Sequence, residues 1–206
     1  MRAARTVRTP TSLWLVLALL AGVTAGCATK VTRMEAEEVK DLSGAWNDTD
    51  SRLVSEEMVQ DALARPWVDN HVRMKRKTPV VIVGEVRNLS HEHINVNTFV
   101  ADLERALLNS GKVEFVASRV ERGEVREERK DQDVHAREDT RKAMGQEIGA
   151  DYMLKGTINT IIDVSGRTQV RYYQVDLNLI SLTDNRKVWQ GQKKIKKLVE
   201  RSNLRF

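Results

Sequence analysis

The 206-residue sequence contains one cysteine, Cys27, so no disulfide can form within the chain and stability rests on an ordinary apolar core. No apolar run reaches the roughly 20 residues that a membrane-spanning helix needs. The motifs of several common enzyme classes are also missing. There is no Walker phosphate loop, no Gly-x-Ser-x-Gly elbow and no Gly-x-Gly-x-x-Gly dinucleotide fingerprint. The four histidines, His71, His91, His93 and His135, open no His-Glu-x-x-His zinc motif. His91-Glu92-His93 could offer two imidazoles to a metal, but it sits in a loop and has no partner at helical spacing. The chain therefore reads as a non-enzyme, without metal or dissociable cofactor. Charge of either sign is not in large excess: 34 Lys+Arg against 29 Asp+Glu give +5. Arg2, Arg5 and Arg8 account for three of those charges, and the rest of the chain is near +2. That balance gives no reason to expect a nucleic-acid partner.

What is present begins at the first residues. The three arginines precede an apolar stretch, Leu13–Leu20, and small residues then lead to Val23-Thr24-Ala25-Gly26-Cys27. A basic segment, an apolar segment of about 7–15 residues and a small-residue cleavage site make a secretory signal. A cysteine directly after Thr-Ala-Gly marks a lipobox, and Thr24 stands where leucine is commonest. The expectation is that residues 1–26 are removed and that Cys27 carries a diacylglycerol and an acyl chain, the only membrane attachment of the mature chain. Residues 28–40 are polar and read as a short tether, reaching at most about 45 Å when extended. A globular domain is expected over 41–200, with a tail at 201–206.

Within 41–200 the pattern alternates between helix and strand. Asp50 or Ser51 is placed to cap a helix to about Ala64, with Leu53, Val54, Met58 and Leu63 on its apolar side. Pro66 suits the first turn of a second helix, 66–75. Trp46 and Trp67 read as packing residues. The β-branched run Val80–Val86 suits a central strand buried on both faces. A polar loop then leads to a helix over 97–109, capped by Asn97 or Thr98, and a short strand, Val113–Val116. Ser118 and Glu121 form a capping box for a helix over about 119–131. Asp139 is placed to cap one more helix to Ile148. Residues 151–164 alternate with period two, Ser165-Gly166 makes a hairpin turn, and 168–182 returns with a change of parity near Ile180 that suggests a bulge. A third strand runs from Lys187 to Leu198. The expected fold is α/β: one mixed sheet with helices packed on it, ending in a three-strand antiparallel meander. Gly84 and Gly156 lie inside strands, where close packing accounts for them.

Two stretches are candidate partner surfaces. Eleven of the fifteen residues Arg119–Asp133 are charged, with alternating signs. This is either a solvated helix supported by its own ion pairs or a recognition ridge centred on Arg122, Arg126 and Arg129. The final strand carries Lys187, Lys193, Lys194, Lys196 and Lys197. This is either an edge guarded against pairing or a basic surface for an acidic partner or phospholipid headgroups.

Several stretches together resemble the LpoB family: DLSGAWNDTDSRLVSEEM, PVVIVGEVRN, SHEHINVNTFVADLERALLNSGKVEFVAS, GQEIGADYMLKGTINTI and YYQVDLNLISLTDNRKVWQGQKKIKK. They lie in collinear order over residues 41–198. The resemblance implies a fold like the amino-terminal domain of TolB. It also implies an outer-membrane lipoprotein facing the periplasm that binds and stimulates a bifunctional class A penicillin-binding protein without catalysis of its own. Ala28, rather than aspartate, after the lipidated cysteine agrees by family rule with sorting to the outer membrane. The 13-residue tether is shorter than the long linker of well-known members. A monomer is expected, with Cys27 as the lipid site and Arg122, Arg126, Arg129, Lys193 and Lys194 as partner-contact candidates. The alternative is a structural or assembly lipoprotein of an envelope or secretion complex, built on a TolB-like domain. Replacing Cys27→Ser is expected to leave an uncleaved precursor that takes up no labelled palmitate; cleavage and lipid incorporation in that variant would refute the anchor.

Overall fold

A computed structural model of the chain describes residues 30–36, 38–142, 145 and 147–200. The signal segment 1–26, Cys27, the first tether residues and the tail 201–206 lie outside the described residues. The chain divides into two units, Met1–Glu38 and Val39–Phe206. In the first, a single turn is closed by the Glu38 N–H donating to the Glu35 carbonyl at 3.1 Å.

The second unit holds, among its described residues, α1 (Asp48–Leu63), α2 (Trp67–Lys75), β1 (Val80–Asn88), α3 (Val96–Asn109), β2 (Glu114–Phe115), α4 (Arg119–His135), β3 (Tyr152–Ser165), β4 (Thr168–Ser181) and β5 (Lys187–Glu200). One sheet runs in the order β2-β1-β3-β4-β5. β1 is parallel to both its neighbours, while β3, β4 and β5 form the antiparallel meander. Because β1 is interior, Val80 to Val83 are buried on both faces, as the β-branched run requires. In the meander only one face is buried. It presents Tyr152, Leu154 and Ile158 from β3, Tyr173, Val175, Leu177 and Leu179 from β4, and Trp189 from β5. Against it pack α1, through Val54, Met58, Val59 and Ala62, and α3, through Phe99, Leu103 and Leu107. Gly156 permits the close fit of β3 on β4: a Cβ there would lie 2.5 Å from the Asp176 carbonyl.

Local chemistry sets the element ends. α1 is capped by Asn47, three residues before the first expected cap, Asp50. The Asn47 amide oxygen accepts from the Asp50 N–H, and the Asp50 carboxylate accepts from the Asn47 N–H, each at 3.0 Å. Leu53, expected on the apolar side, is exposed. α3 is capped by Asn95, whose side chain accepts from the Asn97 N–H at 3.1 Å, rather than by Asn97 or Thr98. α4 has the expected Ser118–Glu121 box and runs on to His135.

The helix expected over Asp139–Ile148 does not form among the described residues, which show a turn at 138–140 and irregular backbone at 141, 142 and 147–150. The reason is local. The Asp139 carboxylate, expected to cap that helix, accepts from the Arg137 Nε at 3.1 Å instead. The bulge near Ile180 also differs in its strand. Leu179 pairs with Trp189 and Ile180 with Lys187, so the extra residue is Val188 of β5. The buried alternation of β4 continues unbroken to Ser181.

One end of the sheet is closed by a polar knot. Glu92, in the loop between β1 and α3, accepts from Arg171 at 2.8 Å, from the Tyr173 hydroxyl at 2.7 Å and from the Trp46 N–H at 3.2 Å. Burial first, and the Glu92 carboxylate second, push the Tyr173 hydroxyl far above its ordinary range, so it remains a donor. Trp46 lies edge-on to Phe99 and Tyr173, at 6.2 and 5.6 Å between ring centres, which places it in the core as expected. Beside the knot, Lys197 donates to Asp41 at 2.7 Å, to Asp50 at 2.6 Å and to the Ala45 carbonyl at 3.2 Å. Burial of Lys197 opposes its charge, but the hydrogen bonds to the two carboxylates raise its pKa overall.

A second buried polar group sits near the start of β3. His71 is 2% exposed, with Nδ1 3.0 Å from the Tyr152 hydroxyl and Nε2 3.7 Å from Asp151. Burial holds its pKa below the ordinary value, with Asp151 opposing the shift.

Two outcomes follow from these buried groups. Glu92→Leu is expected to cost about 3 kcal/mol, because it strands the Arg171 guanidinium. In urea denaturation the Glu92→Leu/Arg171→Leu double variant is expected to lose less than the two single variants added together. For His71, the unfolded chain takes up a proton below about pH 6.5 that the folded chain refuses, so stability falls as pH drops from there toward the folded pKa. His71→Gln is expected to flatten that part of the thermal-midpoint profile.

Candidate partner-binding surface

Among the described residues no three His, Cys, Asp or Glu side chains gather as a metal site. The two imidazoles of His91-Glu92-His93 do not converge. His91 contacts the Thr160 hydroxyl through Nδ1 at 3.1 Å, and Glu92 between them is committed to the polar knot. Surface chemistry is instead concentrated on α4, on β5 and on the outer face of the meander.

α4 is held by charge rather than by apolar packing: none of its residues is buried. Arg126 makes a two-pronged contact with Glu147, Nε and Nη2 each 2.8 Å from a carboxylate oxygen, and Arg129 adds a contact at 3.4 Å. The hydrogen bond from Arg126, followed by the charges of Arg126, Arg129 and Arg122, holds the Glu147 carboxyl below its ordinary range. Arg122 lies on the same side of the helix, and its Nε is buried without a hydrogen-bond partner among the described residues. The three arginines named from the sequence thus share one helix face. Two are clamped to Glu147, while Arg122 keeps a free donor. Between this face and the sheet edge runs a groove of about 310 Å³, with Val80, Phe115, Val116, Ala117, Val125 and Ile148 as apolar lining.

β5 is the far edge strand, as its lysines suggested. Its pleat separates the two candidates drawn from it. Lys193 turns toward α1 and pairs with Glu57. Lys194 and Lys196 point to the opposite face, are exposed, and pair with no acid among the described residues. The structure therefore does not bring Lys193 and Lys194 together into one basic patch.

That opposite face of the meander carries Lys194 and Lys196 and is not covered by α1 and α3. Tyr172 donates to Gln174 at 3.2 Å, Gln174 donates to one oxygen of Asp176 at 2.8 Å, and Gln192 donates to the other at 2.7 Å. Sequence reasoning passed over this ladder. Its period-two spacing was visible, but only the buried half of the alternation was followed. Glu92 was missed for another reason: its partners lie 46 to 81 residues away.

A mixed sheet covered by helices on one side, with charged and amide-bearing groups spread over its exposed faces, is an α/β fold. The comparisons with known proteins resolve the class further. The family model described as "Peptidoglycan-synthase activator LpoB" matches residues 50–195, and the chain belongs to the LpoB family. The LpoB carboxy-terminal domain from Escherichia coli is similar at 18% identity over 72% of this chain and 99% of its own, with a TM-score of 0.45. Lipoprotein GNA1162 from Neisseria meningitidis is 18% identical over 61% of this chain and 87% of its own, with a TM-score of 0.40. The solution structure of Escherichia coli LpoB is 13% identical over 97% of this chain and 91% of its own, with a TM-score of 0.41. No match emerges among curated protein sequences. No helix among the described residues is long and apolar enough to cross a membrane.

Proposed function

We propose that this chain is a lipid-anchored regulator that binds a bifunctional class A penicillin-binding protein in the periplasm and stimulates it by protein–protein contact. The observation that carries the reading is the family match over residues 50–195 to a peptidoglycan-synthase activator. Cys27 is the attachment point, with a diacylglycerol on its sulfur and an acyl chain on its amine. The three acyl chains this supplies hold a protein at a bilayer where one would not. The membrane is the outer one, in keeping with Ala28 after the anchor, and the protein acts as a monomer.

Activation of this kind needs no chemistry from the activator. A domain that binds the active conformation of the synthase more tightly than the resting one shifts the population toward activity by its differential affinity alone. The exposed cations suit the encounter step, because charge complementarity acts mainly on association rate.

Adding the full chain to the resident class A synthase is expected to speed glycan polymerisation and peptide cross-linking, with the two proteins co-purifying from envelope extract. If no resident synthase is stimulated or retained, the proposal is wrong.

A further inference from the structure

We propose that the end of the domain built from α2 and the β4–β5 turn is a docking surface for an acidic segment of a protein partner. This rests on the protein-contact reading above and names the surface and chemistry of the contact.

The first support is where the charge lies. Seven of the 34 Lys+Arg and three of the 29 Asp+Glu fall outside residues 39–200, so the domain carries 27 cations against 26 acids. Six of those cations, Arg73, Lys75, Arg76, Lys77, Arg186 and Lys187, belong to this one end, where the acids are Asp69, Asp151 and Asp184. The rest of the domain keeps 21 cations against 23 acids. The molecule is therefore polarised, with its positive excess here. Lys77 pairs with Asp151 at 3.4 Å and Arg186 with Asp184. Arg73 donates to the neutral Asn70 side chain, and Lys75, Arg76 and Lys187 meet no acid among the described residues. All four of these cations are exposed.

The second support is shape. A groove of about 300 Å³ runs between α2 and the start of β5, and its lining includes Arg186 and Lys187 but no acid. Met74, 69% exposed, and Val188, half-buried, give it an accessible apolar wall. An apolar side chain of a partner can rest there while flanking carboxylates meet the cations. The third support is backbone. Arg76 ends α2 in the left-handed region, at φ 58°, where glycine is favoured. A guanidinium thus stands where glycine would cost the backbone least, and such strained positions gather at functional sites. The fourth is placement. The chain enters the domain at Asp41, which Lys197 holds near the far end of β5. Lys187 is ten residues up that strand, roughly 33 Å away. A lipid at Cys27 would tether the domain by the Asp41 end and leave the basic end free to meet a partner.

The probe is an acetylated, amidated Glu-Leu-Asp-Leu-Glu peptide, titrated into ¹⁵N-labelled full chain in non-ionic detergent micelles. The Gln-Leu-Asn-Leu-Gln peptide, equal in shape but uncharged, is the control. Saturable shifts are expected at residues 70–77 and 184–188, with affinity falling as salt rises. Lys187→Glu is expected to weaken binding at least about tenfold. Arg76→Gly is expected to weaken it severalfold while keeping or raising the thermal midpoint, because glycine suits that backbone. The amide spectrum away from this end reports folding, and Arg76→Gly alone carries the comparison if Lys187→Glu does not fold. Shifts that fail to saturate, equal binding of the uncharged peptide, or indifference to both variants would each overturn the proposal. So would shifts here caused by protein concentration alone, or by soluble peptidoglycan fragments when the acidic peptide gives none. The synthase assay separates this surface from the broader reading. Normal stimulation by a Lys187→Glu chain refutes the surface and leaves the regulator standing. Peptide binding by a chain that stimulates nothing supports the surface and refutes the regulator.

Discussion

The Glu92 carboxylate accepts from the Trp46 backbone, the Arg171 guanidinium and the Tyr173 hydroxyl, groups that lie 46, 79 and 81 residues away along the chain. It thereby joins the segment before α1, the loop after β1 and the middle of β4. The contact is partly buried, so removing the carboxylate would leave the Arg171 guanidinium without its charge partner in a poorly solvated place. The position of α1 depends on this knot. The segment that enters α1 is held there through Trp46, and the same segment supplies the Asp50 that meets Lys197. With α1 placed, Val54, Met58 and Ala62 can close over Leu177, Leu179 and Trp189.

The domain keeps its structure and its exposed chemistry on different faces. The inner face of the meander is apolar and covered. The outer face carries the hydrogen-bonded run of Tyr172, Gln174, Asp176 and Gln192, with the exposed Lys194 and Lys196 beside it. α4 stands apart from both, fastened by Glu147 rather than by burial. This arrangement suits a member of a family of synthase activators.

Much of the fold was legible because it follows from period. The β-branched run of β1, the alternation in β3 and the Phe99-Leu103-Leu107 stripe of α3 each report burial through spacing alone. The capping box at Ser118 was legible too, being local. The departures share one physical origin, competition among polar partners that local pattern does not rank. Asp139 could cap a helix, but Arg137 is two residues away and takes its carboxylate. Asp50 could begin α1, but Asn47 makes the reciprocal pair first. The candidate cations divide in the same way. Spacing put Arg122, Arg126 and Arg129 on one helix face. It could not show that Glu147 occupies two of them, or that pleating sends Lys193 to Glu57 and Lys194 to the other side of the sheet.

The register of β4 against β5 sets Arg171 directly opposite Lys197 on the inner face. Like charges at such a cross-strand position repel. Each is matched by an acid from outside the sheet, Glu92 for one and Asp41 with Asp50 for the other. The carboxylates that offset this repulsion come from the loop after β1, from the segment before α1 and from the first turn of α1. The pairing of β4 with β5 at this end therefore depends on charges from elements remote in the chain. This end of the domain should melt and exchange its amide hydrogens as one cooperative unit.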